Sequence, residues 1–508
     1  MPAVDPQSRR IERIVIVGGG TAGWMAAIYL NRFMRRLNCT VVLVESPTLG
    51  TIGVGEATIP AIVHFVRSLN LDENEFMRRC SATYKLGIQF DGWTGEGGAY
   101  WHSFGLCGTQ INGLDLFHYW LKRRFEAGSK LSYSDYSLQT RLAEQEKSPW
   151  PYRGSSKIAE LGTYAYHLDA AALAEYFREV ATGEGVQHLF GHVQDVVLDD
   201  RGDIASLDIG GERTLAGDLF IDATGFAGLL IEKTLGDSWI DWSRYMLCDS
   251  AVAMPLPRSD SFPPYTLSKA VAAGWMWKIP LSSRVGNGYV FSSAHISTDA
   301  ATAALIAQSG LRRERAADPR VIKFRVGRRT DFWVRNCVSV GLSSGFVEPL
   351  ESTGIHLIQK AITLLVNYFP DRGFSEVLRR AYNTQMAEVY DEVRDFIVLH
   401  YSLAQRGEPF WLDARNAPLP DTLREKIALY DETGRIETRM RQLFPETSYF
   451  FIFTGNGRFP RRPIAEAEVA GRGEVWQLLD RIRAENREFA TRMPTHKSYL
   501  AELHRTNF

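Results

Sequence analysis

Residues 14–45 constrain the fold more than any other part of the chain. Ile14-Val-Ile-Val17 is a continuous apolar run, the pattern of a strand buried on both faces. It runs directly into Gly18-Gly-Gly20-Thr-Ala-Gly23 and continues as Trp24-Met-Ala-Ala-Ile-Tyr-Leu30, which has helical composition. A second buried strand, Thr40-Val-Val-Leu-Val44, ends at Glu45. This is a βαβ unit carrying G-x-G-x-x-G in the register that holds a dinucleotide. Gly18 permits the tight turn, Gly20 lets the backbone approach a pyrophosphate, and Gly23 lets helix and strand pack closely. Thr21 and Ala22 lie in the same turn, where the free N–H groups of the helix start face a phosphate. Glu45 can accept a ribose hydroxyl and would repel a 2′-phosphate.

Further strand signals come much later, in Gly217-Asp-Leu-Phe-Ile-Asp-Ala-Thr-Gly225 and Asn336-Cys-Val-Ser-Val-Gly341, the second followed by a helix over 356–366. Strands near 15, 42, 220 and 338 predict one parallel sheet interrupted by insertions. The fold class is α/β: a discontinuous, Rossmann-like FAD-binding box of the flavoprotein monooxygenase type, with a mainly helical cap. The box should occupy residues 1–370, with substrate-site segments inserted, and the Arg- and Glu-rich cap 371–508. The Asp222–Gly225 strand end favours FAD over NAD. Val193, in an alternating stretch over 191–196, is either a backbone contact to adenine or an ordinary core valine. No second G-x-G-x-x-G follows a strand, so no separate NAD(P)H domain is expected.

With 58 Lys+Arg against 59 Asp+Glu, no net field advertises nucleic acid or anionic lipid. No apolar run is long enough for a membrane helix. The five cysteines lie far apart with no C-x-x-C pair, so reduced thiols, no metal and a cytoplasmic location are expected.

Four segments narrow the reading: Gly53-Val-Gly-Glu-Ala-Thr-Ile-Pro60, Ala82-Thr-Tyr-Lys-Leu-Gly-Ile88, Gly274-Trp-Met-Trp-Lys-Ile-Pro280 and Gly341-Leu-Ser-Ser-Gly-Phe-Val-Glu-Pro-Leu-Glu-Ser-Thr-Gly-Ile355. With the glycine fingerprint, and in this order from about residue 11 to 365, they resemble the flavin-dependent tryptophan halogenases. The resemblance implies FADH2 supplied by a separate NADH-dependent reductase, O2, and chloride or bromide as co-substrate. Hypohalous acid formed at the flavin would then travel to a lysine beside the aromatic substrate. It also sets Glu56, Ala57, Leu342 and Ile355 against the flavin. Homodimers are common for such folds.

The residues also have readings of their own. Alternation over 84–90 puts Tyr84, Leu86, Ile88 and Phe90 on one strand face and Lys85 on the other, where it would be a solvated surface lysine. The resemblance makes Lys85 catalytic instead, either as an ammonium that hydrogen-bonds hypohalous acid or as an amine that forms a haloamine. Glu351 read alone is an acid favouring a helix dipole; in the family the matching glutamate assists the lysine. Ser352 is either the helix N-cap or a mechanistic residue. Thr353 and Gly354 match the halide-holding amides. Trp275 and Trp277 are either core packing or a barrier between flavin and substrate. His102 and Phe104 match residues that sandwich an indole, although His102 could equally be structural.

One region departs from the family pattern. Tryptophan-specific members clamp the amino acid with a C-terminal stretch rich in Tyr, Glu, Phe and Trp. Here that stretch is shortened and basic at Arg435, Arg439 and Arg441, and Leu443-Phe444 stand where Phe-Trp is expected. An ammonium and a carboxylate need dedicated partners when desolvated, so the expected substrate is indole-like without the zwitterion, or tethered, or larger. An aromatic monooxygenase and a non-enzymatic flavin-binding protein are the alternatives.

Overall fold

The computed structural model describes residues 9–48, 55–310, 318–437 and 442–504. Its nucleotide-binding half is built on a six-stranded sheet ordered Gln187–Phe190, Thr40–Glu45, Arg13–Val17, Leu219–Asp222, Cys337–Ser339, Trp333–Val334. The first five strands are parallel, with Ile14 opposite both Val41 and Leu219, and the last is antiparallel. All four expected strands are therefore neighbours. The two edge strands were not foreseen, because they are short and carry little of the apolar run that marks a central strand. The expected strand over 217–225 is confined to Leu219–Asp222. Asp222 explains where it stops: its carboxylate accepts the N–H groups of Thr224, Leu230 and Ile231, turning the chain out of the sheet. The stretch 191–194, read as part of an alternating strand, is instead the connection between Gln187–Phe190 and Asp195–Leu198.

A second, larger sheet is ordered Arg320–Lys323, Ser250–Ala253, Arg284–Phe291, Gly274–Pro280, Thr266–Val271, Gly87–Asp91, Ala99–Ser103, with Leu256–Pro257 also paired to Arg284–Phe291. A small third sheet joins Glu56–Ala57 and Thr83–Lys85 on either side of Ala165–Leu168. The single strand expected over 83–90 is thus two strands in two sheets. The chain changes sheets at Leu86, whose N–H donates to the Pro264 carbonyl and whose carbonyl accepts the Phe104 N–H. This switch also removes the solvent face predicted for Lys85. Tyr84, Lys85, Leu86, Ile88 and Phe90 are all buried, because C-terminal helices cover this corner. The Tyr84 N–H donates to His496 Nε2, from the helix His496–His504.

The C-terminal part is helical as expected, beginning with Glu376–Leu403. One continuous apolar cluster runs from Ile11 to Leu500 and crosses residue 370, so the helices pack onto the sheets rather than forming a detached body. All five cysteines are buried and unpaired. Among the described residues, no helix is long and apolar enough to cross a membrane.

Candidate active site

At the carboxyl ends of the parallel strands lies a cavity of about 670 Å³, the place where open α/β sheets bind ligands. Its lining includes Gly18, Gly20, Thr21, Ala22, Glu45, Glu56, Ala57, Val193, Leu342, Gly354 and Ile355. Gly23 and Thr353 do not reach it. The geometry separates the three fingerprint glycines by task. Gly18 has φ +115°, and a Cβ there would lie 2.3 Å from the Ala223 carbonyl oxygen. A Cβ on Gly23 would lie 1.8 Å from the Gly18 carbonyl oxygen, so Gly23 serves helix–strand packing. Gly20 sits at φ −77°, ψ −175°, capping the helix Thr21–Met34 without a side-chain hydrogen bond. A Cβ on Gly20 would meet nothing within 4 Å, so it faces open cavity.

Those glycines, the uncapped helix start and an acid at the end of the second strand fit the pyrophosphate and ribose of a dinucleotide flavin. Glu45 is itself oriented, accepting from His188 Nε2 at 2.9 Å. The sequence reading missed His188, which belongs to an edge strand with no local signal. Glu56 also faces the cavity, and burial pushes its pKa up to about 7. Gly53 and Val54 of the same segment lie outside the described residues. Because Gly20 is open, Gly20→Val is expected to leave Tm unchanged while weakening FAD binding by about tenfold or more, the equivalent of about 1.4 kcal/mol. Equilibrium dialysis beside a thermal melt checks both.

Behind one wall of the cavity is a buried polar cluster. Lys85 is 0% exposed. Its Nζ donates to the Thr58 carbonyl at 3.0 Å and to Ser352 Oγ at 2.7 Å, and lies 5.1 Å from the centre of the Phe104 ring. Burial lowers the Lys85 pKa to about 7, against the opposing pull of the nearby Glu351 charge. Ser352 itself lines the cavity, so its side chain links that cavity to the lysine. Of the two readings of Ser352, the N-cap does not hold. Thr353 is the N-cap of the helix Gly354–Asn367. Ser352 instead closes the short 3-10 turn Pro349–Glu351 in the left-handed region at φ +60°. A non-glycine residue tolerates that conformation only where its surroundings impose it, and here the side chain is committed to Lys85.

Glu351 is buried between two histidines. Its Oε2 lies 2.7 Å from His102 Nδ1 and its Oε1 2.8 Å from His400 Nε2. Burial alone would raise the Glu351 pKa, but His102 and then His400 outweigh it and pull it down to about 2. Burial keeps the His400 pKa below the ordinary imidazole value. On its other side, His400 Nδ1 lies 2.8 Å from the Tyr100 hydroxyl. The carboxylate therefore stays ionised throughout the working pH range without direct contact to Lys85, on which it acts through space. His102 also faces a ring of phenyl groups, with Phe396 at 5.4 Å and Phe444 and Phe451 each at 6.3 Å.

His400 was not anticipated. The helix Glu376–Leu403 brings it, and the adjacent Tyr401, against the segment 347–351. His400 faces Glu351, while Tyr401 donates to Glu348 at 2.6 Å. A His-Tyr pair inside a long amphipathic helix reads as core packing, and only the docking of the helix shows which carboxyls the pair faces.

Residues 13–471 match the family model described as tryptophan halogenase. The chain belongs to that family. It is 36% identical to a tryptophan 6-halogenase of Streptomyces albogriseolus, over 97% of this chain and 99% of the relative. It is 35% identical to a tryptophan 7-halogenase of Lentzea aerocolonigenes, over 98% and 99%. A solved flavin-dependent halogenase from Brevundimonas sp. BAL3 superposes with a TM-score of 0.91 at 39% identity, covering 97% of this chain and 99% of that one. Another from Xanthomonas campestris gives 0.91 at 40% identity, with the same coverage. This member of the tryptophan halogenase family is a flavin-dependent halogenase.

Proposed function

We propose that this halogenase takes FADH2 from a separate NADH-dependent flavin reductase and, with O2 and chloride or bromide, delivers hypohalous acid through Lys85 to an indole-type aromatic other than free tryptophan. Bound FADH2 supplies the two electrons that, with O2, a halide and a proton, yield hypohalous acid and water. The observation that carries the reading is the placement of Lys85: fully buried, and hydrogen-bonded to a serine that lines the flavin cavity. A buried lysine is costly unless it has a task, and two of its three N–H positions are already taken by Thr58 and Ser352. The remaining position orients the electrophilic halogen against the substrate ring. Glu351, held ionised by His102 and His400, accepts the proton that leaves the ring on substitution. Gly354 on the cavity wall and Thr353 beside it offer uncapped helix-start amides to the halide. Phe104, beside Lys85, and His102 would flank the aromatic.

Two features support a substrate without the amino-acid zwitterion. The surroundings of His102 are phenyl rings, and Phe444 stacks on Phe396 at 3.8 Å rather than presenting a polar group. Its backbone N–H and that of Leu443 are held by the Glu392 carboxylate. Arg435 pairs with Glu466 on the surface. Arg439 and Arg441 lie outside the described residues.

Mass spectrometry of indole and tryptophan reactions containing FAD, NADH, a generic flavin reductase and excess bromide or chloride tests the proposal. The expected product is halogenated indole, read from its isotope pattern, with little halotryptophan. Halotryptophan as the main product would sink the substrate reading. A hydroxylated product without halogen would replace the halogenase by an aromatic monooxygenase.

A further inference from the structure

Glu348 is a second fully buried carboxyl in the active-site loop, three residues before Glu351, and nothing above gives it a task. Its Oε2 accepts two hydrogen bonds, from the Tyr401 hydroxyl at 2.6 Å and from Trp275 Nε1–H at 3.2 Å. Trp275 and Trp277 both line the flavin cavity, as do Val347 and Pro349 on either side of Glu348. The two indoles are treated differently. Trp275 is anchored by Glu348, whereas Trp277 Nε1 is buried and has no partner among the described residues. Burying a carboxyl costs free energy that an apolar side chain would not, so a carboxyl here implies that its two donors need an acceptor. Burial also pushes the Glu348 pKa up to about 7, which lets a neutral group do the accepting.

We propose that Glu348 and Tyr401 are a positioning pair that pins Trp275 as a rigid wall of the flavin cavity, so that oxidant made there leaves toward Lys85 rather than into solvent; this rests on the halogenase reading of the site. Tyr401 and His400 are consecutive on one helix, so a single element registers the wall through Glu348 and the carboxylate through Glu351. Neither Glu348 nor Tyr401 need touch the substrate or the reacting atoms.

Three variants, Glu348→Ala, Tyr401→Phe and Glu348→Gln, separate this role from a merely structural one. In assays with supplied reduced flavin, Glu348→Ala and Tyr401→Phe should lower halogenated product per flavin oxidised by about fivefold, the worth of a lost neutral hydrogen bond. Free hypohalous acid caught by an added scavenger should rise in step, with FAD affinity within about twofold of the parent. Glu348→Gln, which keeps a neutral acceptor, should couple as the parent does. A second readout needs no flavin. In protein labelled with 15N-tryptophan, the Trp275 indole N–H, assigned by Trp275→Phe, should exchange with solvent about tenfold faster in Glu348→Ala than in the parent or Glu348→Gln. Unchanged coupling and exchange in Glu348→Ala would overturn the proposal. So would a product loss matched by lost FAD affinity, or failure of Glu348→Gln to restore coupling. If Glu348→Ala does not fold, Tyr401→Phe carries the same comparison. A parent that makes no halogenated product defeats the proposed substrate, while the exchange measurement still judges the pair.

Discussion

Lys85→Ala is expected to abolish halogenated product while halide-independent oxidation of supplied reduced flavin continues at the parent rate. The expectation follows from where the side chain sits: its Nζ touches Ser352 Oγ and the Thr58 carbonyl, and Lys85 is not part of the cavity lining. Removing it takes away delivery without touching the flavin site. The loss should exceed about 10³-fold, within the range for removing a positioned catalytic group. Lys85→Met is the control for folding, because it fills similar volume without the charge. Its stability has a definite sign. The Lys85 pKa falls from 10.5 to about 7 on folding. Below about pH 7 both states hold the proton, and the folded chain bears the full cost of a buried ammonium. Between that value and 10.5 only the unfolded chain holds it, so the parent gains stability as pH rises. Lys85→Met should therefore show its greatest gain in Tm relative to the parent near pH 7 and below, and its smallest near pH 10. Thermal melts across that range check this, and normal halogenation by Lys85→Ala would dismiss the lysine from the mechanism.

Glu351→Gln should slow product formation by about 10²-fold with flavin binding intact. An imidazole nitrogen lies within ion-pair distance of each of the two carboxylate oxygens. An amide offers only one acceptor oxygen, so one imidazole must turn or change tautomer against an NH2 group. The substitution also removes the charge that holds the Lys85 pKa up. Whichever protonation state of the lysine is active, the inflection it imposes on the pH–rate profile should move to lower pH in Glu351→Gln. An inflection that stays in place would mean that the titrating group near neutrality is another residue, with Glu56 and Glu348 the candidates, each near 7. Glu351 is not among them, because His102 and His400 pull its pKa down.

The flavin half of the site was legible because its signal is local. Gly18, Gly20, Gly23 and Glu45 act through backbone turns and strand ends within about thirty residues of one another, and such geometry is dictated by nearby chain. The alternation rule failed at Lys85 for an equally physical reason. It assumes one continuous strand with a solvent face, and the change of sheet at Leu86 and the covering helices removed both. The choice between cap and mechanistic residue stayed open for Ser352 because its composition suits a cap, whereas its left-handed backbone and its bond to Lys85, 267 positions away, belong to the tertiary structure.

By itself, then, the sequence determined the nucleotide-binding turn, the four central strands, the helical C-terminal part and, through its ordered segments, the family. These depend on short-range periodicity and on residue types that only one backbone geometry accepts. Tertiary structure alone decided that Lys85, His102, Glu351 and His400 form one buried cluster, and that Tyr401 and Glu348 stand behind Trp275. Their charges and hydrogen bonds arise between elements far apart in the chain. A buried polar group acquires its protonation state and its partner only when packing removes water from around it.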